Sequence, residues 1–218
     1  MVNKERVEKI ATGIVDMELN RTDRLISDID STDKMPSWDG GVRVYTRNSQ
    51  NKEDLIGRVP VQVKGHYFKF SENGNAFPDK IKFPVETSDL TNYLNDAGVI
   101  YFIVYIDKAN YNNYKIYFND FLPYSLASIL KKKSQKKITL DFNEFPNKKI
   151  EKTDIFLNFL NHRKYQVNVI QAGLPDESHL LEENIIKSYV IKCTSCEKTK
   201  SSFDMLFSPG KKFVYGDT

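Results

Sequence analysis

Residues 98–106 read Gly-Val-Ile-Tyr-Phe-Ile-Val-Tyr-Ile, an almost unbroken run of apolar, β-branched and aromatic side chains. As a strand, such a run sends large side chains to both faces of a sheet, so both faces need cover. It is far below the roughly 18 residues that cross a membrane. A central strand of this kind excludes an all-helical chain and calls for helices on either side. The flanking segments supply them. In residues 3–20, Val7, Ile10, Ala11, Ile14 and Val15 recur at helical spacing. Glu18 continues the same stripe, and a carboxylate on a buried face requires something to neutralise it.

Two strands are expected ahead of the central one. Val42-Arg43-Val44-Tyr45 alternates, and Val59-Pro60-Val61-Gln62-Val63-Lys64 does so more strictly, with the valines on one face and Gln62 and Lys64 on the other. They read as a hairpin with a long polar connection. Residues 66–70 and 81–85 read as short added strands around the turn Glu72-Asn73-Gly74-Asn75. Thr87-Ser88-Asp89-Leu90 reads as a helix cap, with the helix running to about Asp96 and ending at Gly98. Strands follow at 114–118 and 138–142, and helices at 122–133, opened by Pro123, and at 154–161. The expected class is therefore α/β, a mixed sheet flanked by helices, in a domain of residues 1–150. Residues 151–218 are expected to be a C-terminal extension or the start of a second domain, with the chain an N-terminal fragment of a longer protein. Strand-like stretches occur there at 188–193 and 213–215.

Charge and cysteine usage narrow the function classes. Lysine and arginine total 32 against 29 acidic residues, an excess too small to mark a nucleic-acid binder. The densest basic run, Lys131-Lys132-Lys133-Ser134-Gln135-Lys136-Lys137, reads as a solvated helix end and loop. Two cysteines make no disulfide framework, and the N-terminus has no apolar core after a basic start. The expected compartment is the cytoplasm, with no membrane partner. Cys193 and Cys196 form a lone CxxC without a second pair, which reads as two free thiols. No phosphate-binding glycine loop and no Ser/His/Asp set can be assembled.

The residues that can carry chemistry are few. Asp39 shares the pleat phase of Arg43, so neighbouring strands would put Asp39, Gln62 and Lys64 on one sheet face. With Glu18 they offer two carboxylates and an amide oxygen, hard ligands suited to Mg²⁺ or Mn²⁺. Lys64 would orient water or stabilise developing negative charge beside the ion. Taken singly these residues have ordinary roles: Asp39 before two glycines as a turn former, Gln62 and Lys64 as the solvent face of an edge strand, Trp38 as a packing residue.

The wording around them adds a resemblance. Met35-Pro36-Ser37-Trp38-Asp39-Gly40, then Arg58-Val59-Pro60-Val61-Gln62-Val63-Lys64-Gly65, resembles the PD-(D/E)XK nuclease superfamily. The nearest likeness is to its prokaryotic domain-of-unknown-function branch related to Mrr-type restriction enzymes and Holliday-junction resolvases. Residues 89–94, 98–104 and 115–118 extend the likeness over about residues 3–135. It implies a restriction-endonuclease-like αβββαβ core. It also implies metal-dependent phosphodiester cleavage within an antiphage defence system. The expectation is an endonuclease that prefers DNA to RNA, acting as a defence effector with a defence-system protein partner or a second copy of itself. Carried over by motif, the catalytic residues are Asp39, Gln62, Lys64 and Glu18, with Asp39, Gln62 and Glu18 as metal ligands. Glu5 or Glu8 can take the place of Glu18. Arg43, Lys69 and Lys82 are candidates for contacts to the nucleic-acid backbone. The competing expectation is a nuclease-fold module that binds nucleic acid or a protein partner without cutting.

Overall fold

The computed structural model describes residues 4–29, 37–48, 50–68, 76–131 and 135–171. Among these residues four α-helices flank one mixed sheet of seven strands, an α/β arrangement. In chain order the elements are α1 (Lys4–Asn20), β1 (Leu25–Ile29), β2 (Gly40–Tyr45), β3 (Leu55–Phe68), β4 (Lys80–Glu86), α2 (Thr87–Asn95), β5 (Val99–Asp107), β6 (Tyr114–Phe121), α3 (Pro123–Lys131), β7 (Lys137–Glu144) and α4 (Lys149–Gln171). The strands lie in the order β1-β2-β3-β5-β6-β7-β4.

The run that dominates the sequence is β5, the middle strand. It lies parallel to β3 and antiparallel to β6. Every residue from Val99 to Val104 is buried, because side chains of both parities meet a helical layer. On one face, α1 and α4 pack Val7, Ala11, Val15, Phe156 and Phe159 against Val61, Val63, Ile100 and Phe102. On the other, Leu90 and Tyr93 of α2 and Leu126 of α3 cover Tyr101, Ile103, Tyr117 and Phe142. Each fully buried large side chain contributes about 1.5–3 kcal/mol.

Several expectations need adjustment. β1 lies in a polar stretch that shows no strand pattern, and its pairing with β2 makes a strand of it. β3 runs 14 residues, so 66–68 continue it instead of starting a new strand. β4 follows β3 in sequence but pairs with β7 at the far edge. The sheet curls enough to bring the Phe83 ring of β4 to 4.9 Å from the His66 ring of β3. Thr87 is the first residue of α2, and its hydroxyl donates to the Gln135 carbonyl instead of capping the helix. At the other end of α2 the left-handed residue is Ala97, with φ 62°, while the Gly98 N–H closes on the Tyr93 carbonyl at 2.7 Å.

α4 opens at Lys149, on the expected boundary, but it packs into the first core through Phe156 and Phe159. Its buried Gln166 also accepts the Tyr124 N–H at 2.9 Å, satisfying one orphan donor in the first turn of α3. The strand-like stretches near 188–193 and 213–215, and Cys193 and Cys196, lie outside the described residues. Among the described residues no helix is long and apolar enough to cross a membrane.

Candidate functional site

The site forms where β2 parts from β3. The last β2–β3 pair is Gly40 with Val61, and one residue earlier the Asp39 N–H donates to the Val61 carbonyl at 3.0 Å. Asp39 therefore stands opposite Gln62. The next outward-facing N–H of β3, that of Val63, has no β2 carbonyl to take it. The Asp39 carboxylate takes it instead, with Oδ2 2.7 Å from Val63 N. The same oxygen accepts the Gln62 side-chain amide at 2.5 Å. Alternation along β3 then places Lys64 and His66 on the face of Gln62, while Val61 and Val63 turn to α1.

The backbone before Asp39 is pinned from two sides. Ser37 takes a left-handed φ of 74°, unusual for a residue with a side chain. Its hydroxyl donates to Asp89 at 2.9 Å and accepts from Asn92 at 2.9 Å, tying it to α2. Trp38 packs edge-on to Tyr93, with centroids 6.0 Å apart. Gly40 has φ 144°, and any side chain there would collide with the Asp28 carbonyl of β1.

Helix α1 supplies a second carboxylate. Gly65 has no side chain, which lets α1 approach. A Cβ there would lie 2.8 Å from Ala11 Cβ and strike the Val7 carbonyl. Past Gln62, β3 has no β2 neighbour among the described residues, and there Glu8 Oε1 comes to 4.0 Å from Lys64 Nζ. Burial pushes the Asp39 carboxyl above its ordinary pKa. The Val63 N–H and the Lys64 charge pull it back, Glu8 pushes it up again, and Gln62 opposes that. Burial lowers His66, with Lys4 and Lys64 acting in the same direction and Glu8 against them.

Asp39, Gln62 and Lys64 thus come together, and Glu18 does not. It lies ten residues beyond Glu8 on α1, about 15 Å along the helix axis. The group that neutralises it is an ammonium: Lys152 of α4, itself buried, sits 2.8 Å from Glu18 Oε2. Arg21 and Tyr114 bind the other oxygen at 2.7 and 3.2 Å. Burial alone would raise the Glu18 carboxyl, but Lys152, Tyr114 and Arg21 together hold it below its ordinary value. A charged residue on an apolar stripe reads as a ligand in sequence; in the structure its neighbour is an ammonium 134 residues away.

The expected backbone contacts separate as well. Arg43 shares the face of Asp39 but lies four residues along β2, 3.9 Å from Asp28. Lys82 is exposed on the outer side of β4, opposite in phase to the inward Ile81 and Phe83. Lys69 lies outside the described residues.

Among the described residues no three His, Cys, Asp or Glu side chains come together as a ligand group. What converges is the Asp39 carboxylate, the Val63 carbonyl and the Gln62 amide, whose nitrogen lies 2.5 Å from Asp39 Oδ2 and 3.3 Å from Val63 O. That nitrogen bridges two hard oxygens, as a cation would, and rotating the amide would add its own oxygen to the set. Such a set fits Mg²⁺ or Mn²⁺ held by few protein ligands, with the remainder from water and substrate phosphate.

Sequence reasoning ranked Glu8 behind Glu18 and missed Asp89 and Asn92 as supports of Asp39. Two signals were available: Gly65 one residue after Lys64, and the small Ala11 three after Glu8, both marking a close helix–strand approach. Compared with family models, curated proteins and solved structures, the chain matches none.

Proposed function

We propose that the chain is a metal-dependent nuclease of the PD-(D/E)XK type, hydrolysing phosphodiester bonds of DNA in preference to RNA. One observation carries the reading: a carboxylate, a main-chain carbonyl, an amide and an ammonium face one another at the single point where β2 leaves β3. The order of elements supports it. Helix α1, three antiparallel strands β1-β2-β3, helix α2 and then β5 parallel to β3 are in line with the αβββαβ plan that the resemblance implies, with β4 as an additional strand between β3 and α2.

Asp39, Val63 and Gln62 would hold Mg²⁺ or Mn²⁺, and Glu8 would add a second negative charge beside Lys64. When bound, the ion neutralises phosphate oxygens and acidifies water. Lys64 hydrogen-bonds the attacking water and meets the negative charge that grows on the phosphate as the P–O bond to the leaving oxygen breaks. Glu8, within 4.0 Å of Lys64, orients that ammonium.

The test is cleavage of labelled DNA and RNA in Mg²⁺, Mn²⁺ and EDTA. Cutting is expected with either metal, on DNA faster than on RNA, and with none in EDTA. Lys64→Ala should remove it while leaving the fold intact, since Lys64 is half-exposed. A Lys64→Ala protein that cuts as fast as wild type overturns the assignment. A second reading has its own support: Gln62 already satisfies Asp39 with a neutral donor. On that reading the site binds nucleic acid without cutting, and binding that survives EDTA with no cleavage in any metal is its signature.

A further inference from the structure

Val42, Val44, Val59 and Val61 turn one face of β2 and β3 into the core beneath α1. The opposite face carries Asp39, Gly41 and Arg43 from the β2 side and Arg58, Pro60 and Gln62 from β3. No apolar layer covers it away from Gln62. Ile26, Asp28, Arg43, Arg58 and Pro60 are half-exposed or exposed, and none belongs to either core. Here two arginines face each other directly, since Arg43 and Arg58 are register partners. Like charges so placed repel, and the described residues do little to neutralise them. Asp28 Oδ2 is 3.9 Å from Arg43 Nη2, too far for a hydrogen bond. Arg43 Nε is buried without an acceptor. Among the described residues Arg58 has no carboxylate partner.

Gly41 sets where the second guanidinium lies. A Cβ there would strike Arg58 Nε, so the Arg58 side chain leans across β2 over the space that glycine leaves. Gly41 is one two-residue step, about 6.6 Å, from Arg43 on one side and from Asp39 on the other. Arg58 therefore fills the interval between them. One open face carries in sequence Arg43, Arg58, then Asp39 beside Gln62, then Lys64. A guanidinium presents a planar fork of donors that matches phosphate oxygens two at a time. Carboxylates of an acidic peptide would also suit two unpaired arginines. The continuation of the row into the Asp39–Lys64 site favours a chain of phosphates, because one strand of nucleic acid can occupy both at once. Neither arginine is placed to read a base, so the pair would hold the strand without selecting its sequence.

We propose that Arg43 and Arg58 form a phosphate clamp that holds the nucleic-acid backbone on this sheet face and leads it to the Asp39–Lys64 site. This deepens the nuclease reading and rests on it for cleavage, but its binding test needs no chemistry. The full chain is titrated in EDTA with fluorescent DNA, as a duplex and as the single strand, in two unrelated sequences and over a range of salt. Arg43→Gln and Arg58→Gln should each weaken binding about tenfold in both sequences. Each should also reduce the slope of log affinity against log salt by about one. Arg58→Lys keeps the charge and should keep the slope. Lys149→Gln, which removes a cation paired with Asp23 on α4, should change neither quantity. A folded Arg43→Gln/Arg58→Gln protein with the wild-type slope overturns the proposal. So does a wild type that binds neither form of DNA, or one that binds poly-glutamate through these arginines and DNA without them. A double variant that binds and cuts in Mn²⁺ like wild type removes the clamp and leaves the nuclease reading. Arginine-dependent binding without cleavage in any metal leaves the clamp and removes the catalytic reading.

Discussion

Glu18→Gln separates a structural carboxylate from a catalytic one. Lys152 is 4% exposed, and its ammonium has Glu18 as its carboxylate partner at 2.8 Å, with the Phe145 ring 5.6 Å away. Replacing Glu18 by the neutral isostere leaves a buried cation without its counter-charge. Breaking a buried pair in this way costs roughly 3–5 kcal/mol. The Glu18 side chain keeps 16% exposure and Arg21 is mostly in solvent, so the lower end, about 3 kcal/mol, is expected. For an ordered region of this size that lowers Tm by roughly 6–12 °C. The pair also sets a pH dependence. Glu18 is held below the ordinary glutamate value. Its contribution is therefore present above the unfolded pKa and lost as pH falls through the lower folded one. The gap between wild type and variant should be full at neutral pH and close in acid. Urea denaturation followed by circular dichroism, at neutral pH and below about pH 4, measures both. The double variant Glu18→Gln/Lys152→Met removes the stranded charge and should recover most of the loss. Below the melting range, Glu18→Gln should bind and cut nucleic acid as the wild type does. A stability loss under about 1 kcal/mol, or a double variant no better than the single, would refute the reasoning.

Other outcomes follow from the same geometry. Gly65→Ala should destabilise the fold by about 1–3 kcal/mol, because the new methyl meets Val7 and Ala11 of α1. It should lower cleavage further than the stability loss explains, since α1 carries Glu8; a single-turnover rate on the folded variant checks this. Burial pushes the Asp39 carboxyl above the ordinary aspartate value. The folded state therefore binds the extra proton between that value and its raised one, and the contribution of Asp39 to stability falls as pH rises through this window. Mn²⁺ must displace the same proton, so its stabilising effect in thermal melts should grow as pH rises through that window, and Asp39→Asn should abolish it.

Much of this architecture was legible before any coordinates. A strand has a side-chain period of two, so the valines at 59, 61 and 63 fix where Gln62 and Lys64 face whatever lies beyond. The unbroken run at 99–104 demanded cover on both sides, and two helical layers supply it. The apolar stripe of α1 likewise specified its buried face. Local pattern also placed Asp39 at a turn beside these strands.

Local pattern cannot say what stands across a gap. β1 has no strand signature of its own and exists because β2 offers it an edge. β4 carries an ordinary strand pattern, but only the curl of the sheet brings Phe83 over His66. The choice between Glu8 and Glu18 turns on where α1 crosses β3, which Gly65 permits, and on Lys152, which arrives from another helix. Side-chain direction is a property of the chain's own geometry, readable residue by residue. The neutralisation of a charge depends on through-space distance, which exists only once distant segments have packed.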